Sequence, residues 1–275
     1  NAFLRVASTQ TLTMNGVTNF SGVTGEVNVG GGGFSGTIDF VGNITGDAGS
    51  QVIATNDATA IVRGVANTFT ASTVGAESDG VFECRSTTCF GDNANNIYSG
   101  NGIVELRTSA TYSNDWETSA PAAGDSWLYA YASITISGNG TVNDGIGISQ
   151  QTDGESLQFT GDITNTGGIS VFGSSTSAEV HFDGAVSGAD GFSFGGATTY
   201  MSGSHTYDGT NTVNSDAIVV VDTPSGLGST AGITNILSGS SVRFDFASDT
   251  TVDEPLQIAG SGIAGEGALV LIDEN

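Results

Sequence analysis

The sequence predicts an all-β chain wound as a right-handed parallel β-helix, a β-solenoid with coils of about 23–25 residues. Three observations lead there. Apolar residues alternate with polar ones in short runs such as Val27-Asn28-Val29, Ile134-Thr135-Ile136 and Val242-Arg243-Phe244-Asp245-Phe246. Alternation of this kind, closed by Gly, Asn, Asp or Ser, marks half-buried strands. No segment carries the helical period. Side-chain types also recur at a fixed interval. The stretch Phe159-Thr-Gly161-Asp-Ile163 followed by Gly168-Ile169-Ser-Val171 returns 23 residues later as Phe182-Asp-Gly184-Ala-Val186 and Gly191-Phe192-Ser-Phe194. A unit this short has too little apolar surface for a core of its own and must stack on its neighbours. A β-sandwich is the alternative, but it has no need to repeat side-chain types at constant spacing.

Along the chain, Leu4-Arg-Val-Ala and Thr11-Leu-Thr-Met already read as solenoid strand, as expected of a processed mature chain or a portion of a longer one. Gly30-Gly31-Gly32-Gly33 lacks the strand-loop-helix setting of a phosphate cradle and reads as a solenoid corner. Phe34-Ser-Gly36-Thr-Ile38 and Phe40-Val-Gly42-Asn-Ile44 are early copies of the repeat, and Tyr207-Asp-Gly209 is a late one. The whole of 1–275 is expected to form a single solenoid, broken at 80–131 by an inserted loop region. That region holds both cysteines, both tryptophans and a cluster of tyrosines.

Composition excludes several functions. The 29 acidic residues face only five basic ones, all arginine, for a net charge of −24. Scattered arginines cannot supply the basic groove that neutralises phosphates, so no nucleic acid is expected as a partner. The absence of lysine removes P-loop and Schiff-base chemistry. No apolar run is long enough to span a membrane as a helix.

The last third reads Gly203-Ser-His-Thr-Tyr207-Asp-Gly209-Thr-Asn-Thr212-Val213-Asn214, then the strand Ala217-Ile-Val-Val-Val221. Gly226-Leu227-Gly228-Ser229, Gly239-Ser-Ser-Val-Arg-Phe244 and Gly260-Ser-Gly262 follow. Over about residues 200–270 this order resembles the autotransporter-associated β-strand repeat. Ser215-Asp216 and the acidic stretch 245–255 depart from that pattern. The resemblance implies a bacterial secreted or surface-displayed passenger, structural or adhesive in role, with no enzymatic activity, cofactor or catalytic residue.

Cys84 and Cys89, in a chain read as extracellular, are expected to form one small disulfide within the inserted region. Tyr112, Trp116, Trp127, Tyr129 and Tyr131 form a candidate interaction patch. They serve either as a platform for surface glycans or another partner, or as packing for the inserted loop. His181 and His205 are remote in sequence and are expected to point outward from separate coils. Asp249, Asp253 and Glu254 predict at most weak calcium binding, since no EF-hand or glycine-aspartate ladder accompanies them. A carbohydrate-active β-helix, a polysaccharide lyase or tailspike-type hydrolase, is the alternative function. It would use Arg107 or Arg243 as base, or paired acids among Asp144, Asp153, Glu155 and Asp162. Neither end reads as a cap, so the end coils are expected to abut further solenoid, from the same chain or a head-to-tail second copy.

Overall fold

Alternating apolar residues make short strands, and those strands pair only in parallel among the described residues. The computed structural model describes residues 2–272 apart from 24, 48, 50, 120–125 and 215. The sequence reading takes the chain as one solenoid; its packing separates into two units, 1–139 and 140–275. Each is a parallel β-solenoid.

In the first unit, one sheet stacks Ala2–Leu4, Glu26–Gly30, Gln51–Thr55, Thr73–Glu77, Asn96–Gly100 and Trp116–Thr118. A second sheet stacks Thr11–Met14, Thr37–Phe40, Thr59–Val62, Val81–Cys84, Ile103–Leu106 and Ser126–Ala130. Shorter pairings join Ala110–Tyr112 to Ile134–Ile136 and Thr18–Asn19 to Ile44–Thr45.

In the second unit the first sheet holds Gly140–Val142, Ile163–Asn165 and Val186–Gly188. The second sheet runs from Ile146–Gln150 through Ile169–Gly173, Phe192–Phe194, Asn211–Val213 and Thr234–Ile236 to Leu256–Ile258. A third sheet runs from Ser156–Phe159 through Glu179–Phe182, Thr198–Met201, Ile218–Val221 and Ser241–Phe244 to Leu269–Leu271. One short 3-10 turn, Ile263–Gly265, is the only helical element among the described residues.

The repeat read from the sequence is the ladder itself. Phe159 pairs with Phe182, Ile163 with Val186, Ile169 with Phe192 and Val171 with Phe194. Their side chains fill the core: the rings of Phe159 and Phe182 stack at 5.3 Å, and Phe192 meets Phe182 edge-on at 5.1 Å. The coil length varies more than the sequence suggests. From Phe159 the column steps to Phe182, Met201, Val221, Phe244 and Leu271, that is by 23, 19, 20, 23 and 27 residues. The tetraglycine is a corner, with φ between 63° and 102° at all four positions. Gly188 shows what such a corner requires: φ is 124°, and a Cβ there would sit 1.9 Å from the Asn165 carbonyl oxygen.

The described residues of 80–131 belong to the solenoid sheets rather than to an insertion. Val81–Cys84 pairs with Thr59–Val62 on one side and Ile103–Leu106 on the other, and Ser126–Ala130 continues the same sheet. The rhythm looks broken because Trp and Tyr occupy positions that elsewhere hold Val or Ile, and because the step from Ile97 to Trp116 falls to 19 residues. The disulfide between Cys84 and Cys89 is formed, and it lies in the core rather than on a protrusion. Both cysteines are fully buried, and the Tyr112 hydroxyl, 3.1 Å from Cys84 Sγ, donates to the Ser86 carbonyl.

Corners leave backbone groups that no strand can pair, and buried amides satisfy them. Asn67 accepts from the Ile44 N–H through Oδ1 and donates to the Gly64 carbonyl. Asn95 accepts from Ala71 N–H and donates to the carbonyls of Phe69 and Phe90. Asn165 accepts from Gly168 N–H and donates to the carbonyls of Asp190 and Gly191. Asn211 accepts from Phe192 N–H and donates to the Leu227 carbonyl. These asparagines are all at most 4% exposed.

Candidate functional site

The second sheet of the first unit sends one set of side chains inward and the other out. Ile38, Phe40, Ala60, Val62, Phe82, Cys84, Val104, Leu106, Leu128 and Ala130 are buried. The outward register sets Asp39, Ile61, Glu83, Glu105 and Tyr129 in one column. One step past the strand ends, Val41, Arg63, Arg85, Arg107 and Tyr131 form the next, each held by its N–H to the coil before. Three of the five arginines therefore stack at intervals of 22 residues.

Stacked rungs lie about 4.8 Å apart, so a bare column of arginines would repel itself. Carboxylates of the neighbouring column prevent that. Arg63 Nε lies 2.8 Å from Asp39 Oδ1. Glu83 is shared: Arg85 binds it within the same rung, and Arg107 Nε reaches it from the next at 2.7 Å. Arg107 also holds Glu105 at 2.7 Å. Burial alone would lower the Arg107 pKa, but the hydrogen bond to Glu105 and the charges of Glu105 and Glu83 outweigh it and raise it. The arginines keep about a third of their side chains exposed while Glu83 is buried, so the pairs chiefly offset the cost of burying carboxylates, and the ladder neutralises a strip of surface more than it stabilises the fold.

Aromatic rings end the ladder. The Arg107 guanidinium lies over the Tyr131 ring at 3.9 Å, and Trp127 meets Tyr129 at 5.4 Å. All three rings are half-buried on the outer face. Burial first, then the Glu105 charge, raises the Tyr131 hydroxyl pKa. The candidate patch thus divides. Trp127, Tyr129 and Tyr131 stand outside as a row, whereas Tyr112 and Trp116 are 2% and 4% exposed and belong to the core. Strand alternation decides it: Ser126, Leu128 and Ala130 take the inward positions, which leaves Trp127 and Tyr129 facing out.

A smaller outer cluster lies on the third sheet of the second unit. His181 stacks on Tyr200 at 4.3 Å and contacts Glu179 at 3.2 Å, while Arg243 pairs with Glu266. His181 faces outward as expected; His205 does not. Its side chain is buried at 1% exposure because a corner N–H needs an acceptor there.

Two of the four proposed catalytic acids, Asp153 and Asp162, accept hydrogen bonds from neighbouring coils. Asp153 accepts from the Ser174 and Ser175 hydroxyls, which lowers its pKa, and Asp162 accepts from Ala185 N–H. Glu254 is 8% exposed and accepts from Thr234. No group of three or more His, Cys, Asp or Glu is placed to hold a metal among the described residues.

Fold and surface together define a parallel β-solenoid with an arginine–carboxylate ladder ending in an aromatic row. No family model, curated protein or solved structure matches the chain. No helix among the described residues is long and apolar enough to cross a membrane.

Proposed function

We propose that the chain is a non-enzymatic structural and adhesive β-solenoid that works outside the cell, as a segment of a bacterial surface passenger or a subunit of an extracellular fibre. The outward row of Trp127, Tyr129 and Tyr131 beside the neutralised ladder carries the adhesive part. Its rings offer flat apolar faces, and the surrounding carboxylates and guanidinium groups offer hydrogen bonds without net charge, a combination suited to surface glycans. The buried disulfide favours an oxidising compartment. The resemblance over about residues 200–270 favours the passenger setting. In this reading the end rungs stack on further solenoid, covalently continuous or from a second copy, which would cover the inward-facing Leu12, Leu269 and Leu271.

The test is binding to a panel of neutral and acidic glycans. Trp127→Ala should weaken binding about tenfold or more while leaving the far-UV spectrum unchanged. Equal binding by both proteins would remove the row from the function.

One observation favours the second reading, a carbohydrate-active β-helix: Arg107 lies between two carboxylates beside Tyr131. Those same carboxylates hold the guanidinium protonated, which opposes a role as base. New reducing ends or unsaturated products released from polysaccharides would establish that reading in place of the first.

A further inference from the structure

Three of the corner amides, Asn67, Asn95 and Asn211, accept an N–H from the preceding coil, whereas Asn165 accepts from Gly168 within its own. Asn67 Oδ1 takes the Ile44 N–H of the preceding coil at 2.7 Å, while the next residue, Thr68, donates its own N–H to the Ile44 carbonyl. Asn95 and Asn211 likewise take the N–H groups of Ala71 and Phe192 from the coil before. In the second unit His205 occupies the same role. Its Nδ1 takes the Val186 N–H at 3.1 Å, and Thr206 donates to the Val186 carbonyl at 2.7 Å. An amide oxygen accepts at any pH. An imidazole nitrogen accepts only when it carries no proton.

From this substitution of imidazole for amide we propose that His205 is an acid-sensitive latch, closing the corner at Val186 when its ring is neutral and releasing it when protonated. The bond from Val186 requires the tautomer with hydrogen on Nε2. A second proton enters at Nδ1 and sets two N–H groups against each other. The buried Nε2 has no hydrogen-bond partner among the described residues to take up the added charge.

The surroundings offer no compensation. The ring packs near Gly203 and against Tyr207, whose hydroxyl burial raises its own pKa. The carboxylates that flank this corner in sequence are engaged elsewhere, Asp183 by Gln158 and Asp208 by Ser229. Glu254 bears on Tyr207, and burial alone accounts for the depressed His205 pKa, about 4. Protonation therefore accompanies opening of the corner.

The experiment follows amide exchange at Val186 and the melting temperature across the acid range, in the unmodified protein and in His205→Asn. Corrected for intrinsic exchange, Val186 protection in the unmodified protein should fall about 20-fold between about pH 7 and pH 5. His205→Asn keeps an acceptor that cannot titrate, so its protection should hold and its melting temperature should draw ahead as the pH drops. Parallel losses in the two proteins would overturn the latch. Should His205→Asn not accumulate, the imidazole resonances of the unmodified protein decide. Titration in the ordinary histidine range with Val186 still protected contradicts the proposal; titration displaced to acid together with Val186 exchange upholds it.

Discussion

Replacing Asn165 by alanine tests whether the corner amides hold the coils together. The side chain is fully buried and makes three hydrogen bonds: to the Asp190 carbonyl at 2.8 Å, to the Gly191 carbonyl at 3.1 Å and from the Gly168 N–H at 2.9 Å. At about 1 kcal/mol net for each, the direct loss is about 3 kcal/mol. Asp190, Gly191 and Gly168 are half-exposed, so water recovers part of it, leaving about 2–3 kcal/mol. The neighbouring Thr164 is exposed on the same rung, and Thr164→Ala should cost no more than about 0.5 kcal/mol. Urea unfolding of both variants with unchanged m-values measures the difference. Costs equal within about 0.5 kcal/mol would refute the reasoning, because the amide would then contribute no more than a surface side chain.

Phe182→Ala removes a ring stacked on Phe159 and edge-on to Phe192, and should cost about 3–5 kcal/mol in the same urea assay. Replacing both Cys84 and Cys89 by alanine opens a short loop, which should lower stability by about 2 kcal/mol, and the unmodified protein should take up no alkyl group without reductant. His205 contributes a pH dependence of known sign. Burial lowers its pKa from 6.5 to about 4, so below 6.5 the unfolded chain binds a proton that the folded chain refuses. Stability is full above that range and declines as the pH falls toward about 4, by about 3 kcal/mol in total, a loss that His205→Asn should abolish in thermal melts. Burial raises the pKa of Glu77 and Glu254, so their contributions run the other way, and the difference between the two proteins isolates His205.

The ladder was legible where identical side-chain types recur at one offset. Phe159 over Phe182 and Val171 over Phe194 could be paired by counting residues. It was illegible at 80–131, where the same inward positions hold Phe82, Cys84 and Trp116 and the step shortens. Side-chain identity had changed there while the burial pattern had not. The outer strip was half legible. Trp127 and Tyr129 follow from alternation with Leu128. The arginine column was present as the interval from Arg63 to Arg85 to Arg107, but three charged residues 22 apart carry no strand signal of their own. Its carboxylate partners lie one coil away, so no local window brings Glu83 beside Arg107. His205 could not be placed because burial of a corner side chain depends on which backbone N–H lacks a strand partner. Hydropathy does not register that need.

Parallel in-register stacking is the central claim, and cysteine cross-linking on an exposed column tests it most directly. Thr141, Thr164 and Ser187 occupy successive rungs of the second unit and all point outward. Neighbouring rungs place Cα atoms about 4.8 Å apart, within disulfide reach, and rungs two apart lie about 10 Å apart, beyond it. The account predicts that Thr164→Cys with Ser187→Cys forms a new disulfide under mild oxidation, as does Thr141→Cys with Thr164→Cys. Thr141→Cys with Ser187→Cys should stay reduced. Failure of both neighbouring pairs in folded protein, or ready linkage of the two-rung pair, would contradict the solenoid.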